Sequence, residues 1–164
     1  SFVKAVKGTD AKIVDTRKTT PNLRIFEKYA VLMGGGHNHR FGLYDAVLIK
    51  DNHIMVAGSI KKAAAMARQN IPHTMKIEVE TKSLKEVKDA LASGADIIML
   101  DNMSIPMMKK AVAMINKKAV VEASGNINIK NIREAALTGV DIISIGALTH
   151  SYKAVQMSME ITKR

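Results

Sequence analysis

Six short apolar runs in this chain of 164 residues each end in side chains able to do chemistry. The run Lys12–Asp15 delivers Asp15 and is followed by Arg17 and Lys18. The run Ala46–Lys50 ends in Lys50 and leads to Asp51, Asn52 and His53. Met75–Glu80 contains Glu78 and ends at Glu80, and Asp96–Leu100 is followed by Asp101 and Asn102. Ala119–Glu122 ends in Glu122 ahead of Ser124 and Gly125, and Asp141–Ile145 carries Ser144 and leads to Gly146 and His150. Cations collect in the first half (Arg17, Lys18, Arg24, His39, Arg40, Lys50), while the carboxylates Glu80 and Asp101 follow in the middle. Guanidinium forks clamp carboxylates and phosphates bidentately, and lysine acts on them as a point charge. Small residues at Ser124-Gly125-Asn126, read as opening a helix, and at Gly146-Ala147 suit phosphate held by backbone N–H groups. Mg²⁺ on a diphosphate takes one or two protein carboxylates and keeps several waters. The composite is a site for a polyanion with a metal-bound pyrophosphate.

Several of these residues have a second reading. Asp15 is also a candidate cap for the turn after it, and Glu78 a satisfied buried acid facing a helix. His37 and His39 stand at i, i+2 like metal ligands, but no third nitrogen or sulfur ligand is evident nearby, so a zinc site is disfavoured. His53 reads as a loop donor and His73 as a surface residue. Methionines such as Met107, Met108 and Met114 read as filler at helical spacing. The triplet Gly34-Gly35-Gly36 is not GxGxxG, and no phosphate-binding P-loop exists.

The elements that must position these groups follow a repeating plan. The β-branched runs suit strands buried on both faces, as parallel strands are. Between them lie segments of helical spacing. Ser83–Ser93 has Leu84, Val87, Ala90 and Leu91 on one face, Ser83 with Glu86 as a capping box, and Gly94 as its stop. Ile129–Thr138 repeats that design and ends at Gly139, and Ser104–Ile115 tolerates Pro106 near its first turn. Helices are also predicted at Arg24–Leu32 and Ser59–Gln69, with Phe2–Val6 as the tail of another. Strand and helix in alternation predict parallel β/α units. The fold predicted is α/β, a six-stranded, incomplete TIM-like parallel barrel, with a doubly wound open sheet as competitor. In such barrels the active site forms at the carboxyl ends of the strands.

Composition narrows the function further. One domain spanning 1–164 is expected from the length, and no internal linker divides it. Cysteine is absent, which excludes a disulfide scaffold and is compatible with the cytoplasm. No apolar run is long enough for a membrane span. The charge of +10, from 25 basic and 15 acidic residues, serves solubility or an anionic small substrate. Nucleic-acid binding is disfavoured, because three Phe and three Tyr are not interleaved with the lysines. Ser1 stands where an initiator Met is expected, so something is expected upstream.

The motifs together carry a resemblance. Asp15–Thr20 (DTRKTT), Pro21–Tyr29 (PNLRIFEKY), Gly34–Arg40 (GGGHNHR), Leu48–His53 (LIKDNH), Ile77–Glu80 (IEVE), Leu100–Asn102 (LDN), Glu122–Gly125 (EASG) and Ile145–His150 (IGALTH) resemble, in order, the signature runs of quinolinate phosphoribosyltransferases. The resemblance implies conversion of quinolinate and phosphoribosyl pyrophosphate, with Mg²⁺, to nicotinate mononucleotide, pyrophosphate and CO₂. It implies that Arg17, Lys18, His39 and Arg40 hold the quinolinate carboxylates, with Arg24 also among the substrate-binding residues, and that Lys50 lies near the pyrophosphate and ring. Glu80 and Asp101 would serve the ribose hydroxyls and Mg²⁺, and Ser124, Gly125, Gly146 and Ala147 the 5′-phosphate. Lys18, Lys50, Glu80 and Asp101 are the catalytic set so implied. A homodimer or higher oligomer, a cytoplasmic location and an N-terminal domain are also family expectations, with that domain expected to be missing from the single barrel domain 1–164. The alternative is an isolated barrel that keeps the site residues without catalysis.

Overall fold

The computed structural model describes residues 1–162. Among them, strands β1 (Lys12–Val14), β2 (Val47–Ile49), β3 (Ile77–Thr81), β4 (Ile97–Asp101), β5 (Val120–Ser124) and β6 (Ile142–Ser144) form one sheet. Every pairing is parallel, and the order is β1-β6-β5-β4-β3-β2. From β2 to β6, strands adjacent in sequence are adjacent in the sheet, and the first strand pairs with the last. A doubly wound sheet would instead start in its middle and reverse direction there. The pairing of β1 with β6 therefore marks a sheet curling towards closure, and the fold is an incomplete β/α barrel.

The opening lies between β1 and β2, and the glycine-rich segment lines it. Val14 and His37 form a parallel bridge. His37 N donates to Ile13 O at 2.8 Å and Asp15 N to His37 O at 3.2 Å. Gly36 lies so close to Ile13 and Val31 that an added Cβ would meet Val31 Cγ1 at 2.9 Å, which explains a glycine there.

Helices α1 (Phe2–Ala5), α2 (Arg24–Met33), α3 (Asp51–Ala57), α4 (Ile60–Asn70), α5 (Leu84–Ala92), α6 (Ile105–Ile115), α7 (Ile132–Ala136) and α8 (Ala147–His150) surround the strands. Strand residues Ile77, Val79, Ile98, Leu100, Val121, Ala123 and Ile143 join Val87, Ala90, Met108, Ala111 and Ile132 in one buried core. Alternation along β3 then turns Glu78 and Glu80 to the opposite, inner face. None of the described helices is long and apolar enough to cross a membrane.

Three local expectations are corrected. Helix α7 begins at Ile132 rather than Ile129, because asparagine side chains compete for the backbone: Asn128 N donates to Asn131 Oδ1 at 2.8 Å and Lys130 N to Asn128 Oδ1 at 2.9 Å. For the same reason Ser124-Gly125-Asn126 does not open a helix; Gly125 (φ 85°) and Asn126 (φ 53°) make a left-handed turn instead. The capping box of α5 is only half formed. Ser83 Oγ accepts from Glu86 N, but Glu86 reaches back one residue further, to Lys82 N at 2.6 Å. Helix α3, directly after Lys50, was not foreseen; His53 closes it by accepting the Lys50 N–H at 2.9 Å.

A repeated device sets strand register at the base of the barrel. In the similar runs Gly94-Ala95-Asp96-Ile97-Ile98 and Gly139-Val140-Asp141-Ile142-Ile143, a left-handed glycine precedes an aspartate that grips the neighbouring strand. Asp96 Oδ2 accepts from Ile77 N at 2.9 Å, and Asp141 Oδ2 accepts from Val121 N at 2.8 Å. Partial burial opposes the Asp96 charge, but the Ile77 N–H and the Arg68 guanidinium at 3.0 Å outweigh it and hold its carboxyl below the usual range. A depressed pKa adds stability that is complete above the unfolded-state value, near 4, and is lost as pH falls through the folded value. Asp96→Ala is expected to lower unfolding stability at pH 7 by about 1–3 kcal/mol. In urea titrations at pH 7 and below pH 3 the gap from the parent should shrink at the lower pH. A gap independent of pH would remove the charge from the account.

Candidate active site

A cavity of about 700 Å³ opens at the carboxyl ends of the strands. It is lined by Arg17, Lys18, His39, Arg40, Lys50, Glu80, Asp101, Ser124, Gly125, Gly146 and Ala147. Ten residues expected to bind substrate were named from the sequence, and the cavity gathers all of them except Arg24. That arginine is turned elsewhere: Nε donates to Thr19 Oγ1 at 3.0 Å, Nη1 to Phe41 O at 3.1 Å and Nη2 to Arg17 O at 3.2 Å. It ties the loops carrying Arg17 and Arg40 together rather than facing the cavity.

The β1 end is held by a buried network. Asp15, with no exposed surface, accepts from Lys28 Nζ, from Asn38 Nδ2 and, at 2.9 Å, from His39 N. Lys28 Nζ also donates to His39 O at 3.0 Å. Asp15 thus does not cap the turn after it; it pins the GGGHNHR segment against β1. On the other side, Thr149 Oγ1 of α8 donates to Lys18 O at 2.6 Å. With their backbones tethered, Arg17 and Lys18 keep their charged ends for the cavity, and buried Arg17 Nε has no partner among the described residues.

Opposite stand the acids. Glu80 and Lys50 pair at 2.9 Å across β3 and β2. Asp101 ends β4 one step nearer the mouth, since Glu80 is in register with Met99. Asn102 bridges two strand ends: its Nδ2 donates to Asp101 Oδ1 at 3.1 Å, and its Oδ1 accepts from Asn126 Nδ2 at 2.9 Å. Gly125 lies against that side chain with no room for a Cβ. Asn102 and Asn126 were not assigned roles from the sequence; the available signal was the polar residue closing LDN and the one just past EASG.

Below this ring lies a cluster that the sequence did not reveal. His39 Nε2 is 3.1 Å from Glu78 Oε2 and 3.5 Å from Glu122 Oε2, and the glutamate side chains are 4% and 1% exposed. Glu78 therefore faces the barrel interior and not a helix. His37 is exposed and takes no part, so the two histidines are not a metal pair. His39 Nδ1 accepts the Arg40 N–H at 2.8 Å, which commits both ring nitrogens to the protein. Burial opposes a charge on the ring; hydrogen bonds and charge from Glu122 and Glu78 favour one, and with these groups alone the pKa stands at about 10, while the Arg40 N–H at Nδ1 works against it. Burial pushes the Glu78 carboxyl up; the His39 hydrogen bond opposes this, and the Glu122 charge adds to it. Burial, with Arg17 alongside, pulls Arg40 below the usual guanidinium value, against the charges of Glu78 and Asp45.

With cations on β1, β2 and the 37–40 segment, acids on β3 and β4, and small residues after β5 and β6, the arrangement can be compared with known proteins. Residues 1–160 match the family described as "Quinolinate phosphoribosyl transferase, C-terminal domain". The chain belongs to this family. Among relatives of the quinolinate phosphoribosyl transferase domain, the "Probable nicotinate-nucleotide pyrophosphorylase (carboxylating)" of Synechocystis is 48% identical over 99% of this chain and 56% of its own length. The protein of the same description from Bacillus subtilis is 46% identical over 98% of this chain and 55% of its own. The crystal structure of NadC from Streptococcus pyogenes superposes with a TM-score of 0.92 at 48% identity, covering 97% of this chain and 56% of that one. The chain thus spans little more than half the length of the relatives it matches.

Proposed function

We propose that this domain carries the cavity in which quinolinate and phosphoribosyl pyrophosphate become nicotinate mononucleotide, pyrophosphate and CO₂. The observation that carries the reading is one cavity lined by Arg17, Lys18 and Arg40 together with Glu80, paired to Lys50 at 2.9 Å, and Asp101. Quinolinate has two carboxylates, and the other substrate has a phosphate and a diphosphate; both need cations. The ribose carbon gains positive charge as pyrophosphate leaves, and fixed carboxylates favour that charge.

In this reading Arg17, Lys18 and Arg40 orient the dicarboxylate so that the pyridine nitrogen faces C1 of the ribose. The C1–O bond to pyrophosphate breaks and the N–C1 bond forms, with Glu80 and Asp101 beside the ribose. Lys50, already paired with Glu80, has a half-exposed side chain with N–H groups left for the departing diphosphate. The ring nitrogen, now positive, accepts the electron pair left at C2 when CO₂ departs, and C2 takes a proton. No side-chain nucleophile is required.

Mg²⁺ belongs to the proposal. Glu80 and Asp101 suit it as hard oxygen donors from adjacent strands, and two such ligands are what a diphosphate-bound Mg²⁺ asks of a protein. When bound, the ion would neutralise charge on the leaving diphosphate. A cytoplasmic location and assembly as a homodimer or higher oligomer complete the proposal. The test is formation of nicotinate mononucleotide from the two substrates with Mg²⁺, by the parent and by Glu80→Gln with Asp101→Asn. Product from the parent, with at least a hundredfold loss in the double variant, is expected. No product from the parent alone, or from the parent supplied with the preceding part of a full-length relative, would sink the reading in favour of an idle barrel.

A further inference from the structure

Two neighbours of His39 make opposite demands on its ring. Glu78 Oε2 and Glu122 Oε2 both lie within reach of Nε2 and need a hydrogen there. The Arg40 N–H points at Nδ1 from 2.8 Å and needs a lone pair there. An imidazolium, with hydrogen on both nitrogens, would set two N–H groups head to head across that distance. The Nδ1–H tautomer fails twice, facing the amide with a hydrogen and the carboxylates with a lone pair. The two carboxylates draw the ring towards its charged form, but a second ring hydrogen would have to sit on Nδ1 against the Arg40 N–H at 2.8 Å, and that contact decides: only the neutral Nε2–H form satisfies every contact. The charged groups around the ring are Glu78 from β3, Glu122 from β5 and the guanidiniums of Arg40 and Arg17, so the cavity does not depend on His39 for positive charge.

What the ring does instead follows from its partners. Arg40 Nη1 donates to Ala46 O at 3.0 Å, while Nε and Nη2 take no protein partner among the described hydrogen bonds. The direction in which that guanidinium leaves the chain is set at one end by Ala46 and at the other by the Arg40 amide on His39 Nδ1. We propose that Glu78 and Glu122 are positioning residues that grip the single Nε2–H of a neutral His39, whose bare Nδ1 fixes the Arg40 amide and with it the guanidinium at the cavity wall. The relay runs from the barrel interior to its mouth: carboxylates, imidazole, amide, guanidinium. It rests on the reading in the previous subsection only for what Arg40 is aimed at; the relay itself can be tested with no ligand present.

The test is a long-range ¹H–¹⁵N correlation spectrum of the protein labelled in its five histidines, with His39 assigned by the signal missing from His39→Asn. At pH 7 the expected pattern is an unprotonated Nδ1 beside a protonated Nε2. Two protonated nitrogens, or hydrogen on Nδ1, would overturn the proposal without any variant having to fold. The next link is read at the Arg40 amide. In His39→Asn the side-chain oxygen takes the place of Nδ1, and the Arg40 amide proton keeps its downfield position. In His39→Gln the acceptor is gone, the resonance moves upfield and the amide exchanges about tenfold faster, as one lost hydrogen bond requires. Equal behaviour of the two variants would break the link. Finally, Glu78→Gln and Glu122→Gln replace charged acceptors by neutral ones, so the Nε2–H resonance should move upfield in each. An unmoved resonance in both would remove the carboxylates from the relay.

Discussion

Asp15→Ala is expected to lower unfolding stability by about 3–5 kcal/mol, the cost of leaving one member of a buried ion pair without its partner. Lys28 is only 2% exposed, so its charge cannot reach water when Asp15 is removed. Three donors lose an acceptor together: the His39 amide, Lys28 Nζ, which keeps only His39 O, and Asn38 Nδ2, which keeps only Lys28 O. For a chain of this size the loss corresponds to a fall in Tm of roughly 10 °C. Asp15→Asn keeps an acceptor for the His39 amide but leaves the lysine charge uncompensated, so it should recover less than half of the loss. Asp15→Leu combined with Lys28→Leu removes both charges and should be more stable than Asp15→Ala, because the penalty lies in the unpaired charge rather than in the missing bond. Urea denaturation of the four proteins measures this directly. A loss below about 1 kcal/mol for Asp15→Ala would show that the GGGHNHR segment is held by other means.

Arg17→Ala is expected to weaken binding of quinolinate, or of phthalate as its unreactive mimic, by about a hundredfold. Truncating one partner of a desolvated charge pair costs about 2–5 kcal/mol, and each 1.4 kcal/mol is tenfold in Kd. The Arg17 backbone oxygen is held by Arg24, and its Nε is buried with no partner among the described residues, which leaves the guanidinium for a bound anion. Arg17→Lys restores the charge without the fork and should recover less than a tenth of the lost affinity. Arg24→Ala is the control that separates contact from support. It removes three hydrogen bonds between loops and touches no cavity surface, so its effect should appear in stability before it appears in affinity. Isothermal titration reads all three. Affinity within threefold of the parent in Arg17→Ala would place the dicarboxylate elsewhere in the cavity.

Strand positions were legible because parallel strands buried on both faces demand apolar β-branched runs, and runs such as Ile97–Leu100 have few other uses. The ring of site residues was legible for a related reason. Polar side chains directly after such runs must emerge at one end of the barrel, and Arg17, Lys50, Glu80, Asp101 and Ser124 do so. Where hydrogen bonding by side chains competes with the backbone, periodicity misled. The asparagines at 126, 128 and 131 shorten α7, and His53 starts α3 in what the sequence shows as a polar loop.

Residue types and spacing alone were enough to determine the alternation of strand and helix, the end of the barrel at which polar groups gather, and the excess of cations awaiting an anion. Tertiary structure decided which of those groups face one another. Arg24 is drawn off by loop carbonyls, Asp15 is consumed by Lys28, and His39 is claimed by two glutamates from strands far apart in sequence. The physical reason is range. Burial and periodicity are properties of a few consecutive residues, whereas an ion pair or a choice of tautomer depends on atoms that come within 4 Å only when the sheet has curled.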